Sequence, residues 1–125
     1  MRTLYRSEII ERYKFPRNKG VMKDASVQGE VMNALCGDDL ILYLRVDKTG
    51  GTVQDASFSA EGCALMQASA DILCGYIKGR SLEELRGFSP DDLLKLYGEP
   101  PIPSRLKCVL LPYEALKRGL LGLNV

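Results

Sequence analysis

Asp39-Leu40-Ile41-Leu42-Tyr43-Leu44-Arg45-Val46 decides the fold. Leu40, Leu42 and Leu44 fall on alternate positions, the period of a strand with one buried face. Working outward, Lys48-Thr49-Gly50-Gly51 reads as a hairpin-like turn, and Val53 to Ala60 as the strand that follows it. On the other side, Val27 to Leu35 reads as the preceding strand. Three consecutive strands joined by short links predict an antiparallel meander.

Helical patterns flank the strands. Leu4, Ile9, Ile10 and Tyr13 recur near helical spacing, and Phe15-Pro16-Arg17-Asn18-Lys19-Gly20 ends that segment with turn chemistry. Cys63 to Gly79 predicts a long helix, with Leu65, Met66, Ile72, Leu73, Tyr76 and Ile77 mostly on one side. Ser81-Leu82-Glu83-Glu84 is a capping box, and Ser89-Pro90-Asp91-Asp92 opens another short helix with proline at its first position. Glu83-Glu84 and Asp91-Asp92 therefore read as solvated caps. Pro100-Pro101-Ile102-Pro103 is a rigid connector before a last helix from near Cys108 to Leu120. Pro112 costs that helix little if it lies in the first turn and kinks it if deeper. Tyr5, Tyr13 and Phe15 are expected to pack between helices rather than form an exposed patch. The fold class is α+β: a three-stranded antiparallel sheet with an N-terminal helix and several C-terminal helices packed on it. Residues 1–125 form a single domain, with Leu40, Leu42, Leu44, Val53, Phe58, Met66 and Ile72 as its predicted core.

Bulk composition narrows the function. Seventeen basic and sixteen acidic residues leave a formal net charge of +1, with no basic block to hold nucleic acid. No apolar run reaches the ~18 residues of a membrane span. The N-terminus lacks the apolar core of a signal peptide, so a cytoplasmic, reducing setting is expected. Four cysteines there point to metal or sulfur chemistry rather than disulfides. The chain has no histidine, which excludes Ser-His-Asp and Cys-His catalysis within it and leaves any metal to Cys and Asp/Glu.

Three of the cysteines stand at element ends. Cys36 lies in Cys36-Gly37-Asp38 between two strands, where Gly37 permits a sharp turn that lets both flanking side chains face one point. Cys63 follows Gly62 at a helix start, where the helix dipole favours thiolate over thiol. Cys108 precedes the last helix, beside Lys107, and is expected to share that preference. With Asp38 they make four potential ligands, the number for a tetrahedral metal site or one edge of an iron–sulfur cluster. Cys74 lies 11 residues beyond Cys63, on the order of 16 Å along one helix, and reads as core.

Five segments in order resemble one family. Tyr13 to Gly20 (YKFPRNKG), Asn33-Ala34-Leu35-Cys36-Gly37-Asp38, Glu61-Gly62-Cys63-Ala64, Gly79-Arg80-Ser81-Leu82-Glu83-Glu84 and Leu106-Lys107-Cys108 are similar to the motifs of NifU/IscU/SufU-type iron–sulfur cluster assembly scaffolds. The resemblance implies that Cys36, Asp38, Cys63 and Cys108 ligate Zn²⁺ or Fe²⁺ and a transient [2Fe–2S] cluster. It makes Cys63 and Cys108 candidate sulfur acceptors, and Asp38 the carboxylate that helps release the cluster. It implies a pyridoxal-phosphate cysteine desulfurase and apo iron–sulfur acceptor proteins as partners, and a scaffold rather than an independent enzyme. The alternative is a zinc-dependent SufU-type sulfur acceptor that activates the desulfurase. Lys107 stands where IscU-type members have His and SufU-type members Arg, and PPIPSRLK replaces the chaperone motif of IscU-type members.

Overall fold

The computed structural model describes residues 6–33, 37–47, 49, 51–98 and 101–123. The readings at Leu4, Tyr5, Ala34, Leu35, Cys36, Lys48, Gly50 and Pro100 lie outside them. Helix α1 spans Arg6–Lys14, and strands β1 (Val27–Asn33), β2 (Asp38–Val46) and β3 (Val53–Glu61) follow. Then come helices α2 (Ala64–Ile77), α3 (Leu82–Arg86), α4 (Pro90–Tyr97) and, after a 3₁₀ turn at Pro103–Arg105, α5 (Leu106–Leu123). The strands form one antiparallel sheet in the order β1-β2-β3, as their sequential spacing predicts.

The alternation in β2 sets the register. Leu42 lies opposite Gly29 on β1 and Phe58 on β3; Leu40 lies opposite Val31 and Ala60; Leu44 lies opposite Val27 and Ala56. This row is buried and packs with Met66, Leu73 and Ile77 of α2 and Leu111, Ala115 and Leu116 of α5. Every side chain predicted for the core is inside. Fully burying one such side chain contributes roughly 1.5–3 kcal/mol. Helix α5 lies directly on β1: a Cβ on Gly29 would stand 1.8 Å from the Ala115 carbonyl oxygen. Only glycine admits that approach.

Four expectations change. Helix α2 is buried on more than one side, because Ala68 and Ile72 join Ile9 of α1, Tyr97 of α4 and Val109 of α5 in a second apolar cluster. It also ends at Ile77, with Gly79 at φ +83° in the turn beyond. Tyr13 is 41% exposed and Phe15 72% exposed, so neither packs between helices. The reason is that α1 buries the Ile9 side toward α2 and leaves its other side open, while Phe15 lies past its end. Helix α5 begins at Leu106, which puts Cys108 inside its first turn rather than before it, and Pro112 at its seventh residue. Proline has no N–H, so the Cys108 carbonyl lacks its partner four residues on.

The two short helices form as read. Ser81 accepts from the Glu84 N–H while the Glu84 carboxylate accepts from the Ser81 N–H, and Ser89 and Asp92 make the same reciprocal pair. Each cap is worth roughly 1 kcal/mol.

Candidate functional site at the ends of β2, β3 and α5

The inward row of β2 ends in a carboxylate. Asp38, one period before Leu40, is completely buried. The chain reaches it through Gly37 at φ +70°, the left-handed backbone expected of this turn. Beside it, β3 ends at Glu61 and the chain turns at Gly62, at φ +124°. A Cβ on Gly62 would stand 2.3 Å from Asp38 Oδ1. Glycine there is what lets the corner close over the carboxylate.

Cys63 is the N-cap of α2. Its N–H donates to Asp38 Oδ1 at 2.8 Å, so the carboxylate satisfies the backbone N–H of the N-cap residue, whose side chain makes no cap bond of its own. Asp38 Oδ2 is buried and has no hydrogen-bond partner among the described residues. Leaving such an atom unpaired costs about 1–3 kcal/mol, and more when it is charged.

Cys108 enters from α5 and is 1% exposed. Burial foremost, then the neighbouring Cys63 and Asp38 side chains, push its thiol up to about 12. The expectation that Cys108 favours thiolate is therefore overturned for the metal-free protein. Lys107, exposed on the helix surface, does not offset burial among two acidic neighbours. The buried Ser69 hydroxyl, on α2, donates to the carbonyl of the next residue, Val109, at 2.7 Å and ties this turn to α2.

The structure thus brings together Asp38, Cys63 and Cys108, three of the four residues expected to act; Cys36 lies outside the described residues. Cys63 is half-buried and Cys108 is enclosed. Among the described residues, no three Cys, Asp or Glu side chains form a ready ligand group. The donor chemistry nevertheless fits a thiophilic metal: two sulfurs, with a buried carboxylate oxygen that lacks a partner. Cys74, buried in the core and pushed up by burial and by Asp71, is not part of this group.

Sequence reading missed a second polar cluster that supports the corner. Asp71, fully buried on α2, accepts from Arg12 Nη1 at 2.7 Å, the Arg17 N–H at 2.9 Å and the Asn18 N–H at 2.7 Å. Asn18 donates to the Asp71 carbonyl and accepts from Lys78 Nζ. The Pro-Arg-Asn turn is thereby fastened to the helix that Cys63 caps. The signal for this was a charged residue, Asp71, inside an otherwise uncharged helix.

Two thiols and a carboxylate thus meet where the strands of a three-stranded antiparallel sheet give way to helices. Residues 4–123 match the NifU-like N-terminal domain family, and the chain belongs to that family. It is 37% identical to the zinc-dependent sulfurtransferase SufU of Bacillus subtilis, over 94% of this chain and 89% of that protein. It is 33% identical to the iron–sulfur cluster assembly scaffold protein IscU of Buchnera aphidicola, over 93% of this chain and 92% of that one. A solved structure from Fervidobacterium islandicum, assigned to the SUF system as a cluster assembly scaffold, superimposes with a TM-score of 0.76 at 28% identity, covering 93% of this chain and 96% of that one. Among the described residues, no helix is long and apolar enough to cross a membrane.

Proposed function

We propose that this chain is an iron–sulfur cluster assembly scaffold. The observation that carries the reading is the buried Asp38 carboxylate beside Cys63 and Cys108, its Oδ2 without a hydrogen-bond partner that meets normal geometry among the described residues. A buried carboxylate oxygen with no donor from the described residues is available to a cation. Cys36, Asp38, Cys63 and Cys108 hold iron or zinc and, as cargo, a nascent [2Fe–2S] cluster. An oxygen ligand suits such a cluster less well than a fourth thiolate, so Asp38 favours hand-over to apo acceptor proteins.

Sulfur arrives from a cysteine desulfurase as a persulfide. The Cys63 thiolate, the more exposed of the two described site thiols, attacks the outer sulfur. A new S–S bond forms on Cys63, and the desulfurase cysteine leaves as thiolate. Cys108 gives up its proton when a cation displaces it. The scaffold itself turns over no small substrate.

Anaerobic reconstitution with iron, cysteine, a dithiol reductant and a desulfurase tests the reading by absorbance and Mössbauer spectra. A cluster that forms and passes to apo-ferredoxin supports it. The similarity to the Bacillus subtilis protein favours a second reading: zinc-dependent acceptance of sulfur that speeds the desulfurase. Tightly held zinc, no cluster and faster desulfurase turnover would establish that reading instead.

A further inference from the structure

One residue of the ligand set and one outside it hold the two ends of the Gly62–Cys63 peptide. Its N–H end donates to Asp38 Oδ1 at 2.8 Å. Its C=O end, the Gly62 carbonyl, accepts from Gln67 Nε2 at 3.2 Å. Gln67 lies one turn into α2 and is 6% exposed. Its other amide atom, Oε1, accepts from Lys19 Nζ at 2.8 Å. Lys19 is itself held, its backbone bridged to Phe58 of β3.

We propose that Gln67, oriented by Lys19, is a positioning residue that fixes the Gly62–Cys63 peptide and with it the direction of the Cys63 thiol. An amide side chain can present either its oxygen or its nitrogen. An ammonium only donates, so Lys19 claims Oε1 and leaves Nε2 for the Gly62 carbonyl. A peptide that follows a glycine is the easiest in a chain to rotate, because no Cβ resists it. Here it is gripped at both ends, by Asp38 and by Gln67. Rotation would take the Cys63 N–H off Asp38 and swing the thiol away from Cys108. The part concerning metal rests on the scaffold reading; the part concerning the peptide does not.

The test uses the full chain with Gln67→Met, Gln67→Glu and Lys19→Met. Gln67→Glu keeps an acceptor for Lys19 but has no donor for Gly62, so it separates loss of this bond from loss of packing. In the metal-free protein, hydrogen exchange at the Cys63 amide is followed by NMR. Both Gln67 variants are expected to speed it about tenfold while β2 amides stay unchanged, with Lys19→Met in between. Titration with Co²⁺ then reads the site, since its thiolate charge-transfer and d–d bands report geometry. Both Gln67 variants are expected to bind Co²⁺ about tenfold more weakly with shifted bands, in the range of lost outer-shell contacts. Exchange at Cys63 that is unchanged in a folded Gln67→Glu variant overturns the proposal. Altered exchange in a protein whose wild type binds no Co²⁺ upholds the peptide's anchoring and sinks the metal reading.

Discussion

The Cys63 N–H and the Asp38 carboxylate, 25 positions apart, share a 2.8 Å hydrogen bond that joins the start of α2 to the start of β2. One oxygen of Asp38 is thus committed to structure, and the other has no hydrogen-bond partner among the described residues. Asp38→Asn keeps an acceptor for Cys63 and replaces the carboxylate by an uncharged amide. It should leave the metal-free protein as stable or raise its stability by about 1 kcal/mol, while weakening zinc retention. Thermal unfolding of the metal-free form and metal analysis of the purified form check both halves. Asp38→Ala should lengthen the lifetime of a bound cluster, read as slower anaerobic absorbance decay.

Gly62→Ala should be among the most damaging single-methyl additions. The new Cβ would press on Asp38 Oδ1 and force alanine into φ +124°. Backbone strain alone costs on the order of 1–3 kcal/mol. Denaturant unfolding should show that loss, with metal content falling in parallel.

Asp71→Ala strands Arg12 and two backbone N–H groups at once. The expected destabilisation is about 3 kcal/mol, at the low end for a broken buried pair because Arg12 keeps 28% exposure. Urea unfolding of the metal-free protein measures it. A loss below 1 kcal/mol would mean the Pro-Arg-Asn turn is held by other contacts.

Cys74 gives a pH signature. Burial first, then Asp71, raises its pKa above the ordinary thiol value, so the folded protein keeps a proton that the unfolded chain releases. Its contribution is complete below the unfolded value and declines as pH rises beyond it. Between about pH 7.5 and 9.5, across the ordinary thiol range, wild type should lose more stability than Cys74→Ala. Equal slopes in parallel urea titrations would contradict this.

How far the sequence could be read depended on the range of each interaction. The β2 row of leucines, the capping box at Ser81 and the proline-led helix start at Ser89 are local patterns, and they formed as read, with a second capping box found at Ser89. The convergence of Asp38, Cys63 and Cys108 was legible from motif order, because each sits at an element end. Asp71 was not, since its partners Arg17 and Asn18 are 54 and 53 positions away and leave no periodic mark. Gln67 escaped for the same reason: its amide is shared between Lys19, 48 positions back, and the Gly62 carbonyl. Tyr13 and Phe15 misled because aromatic content in a short helix reads as core whether or not another element covers it. The protonation of Cys108 follows from enclosure beside two acidic groups, which a neighbouring lysine in the sequence gave no means to foresee.

Pro112 carries a last consequence. By deleting one rung of the helical ladder, it leaves the carbonyl of Cys108 itself without its helical donor. The turn that carries the site thiol and the turns that seat α5 on β1 are thus joined across a missing rung, a break written into the covalent chain.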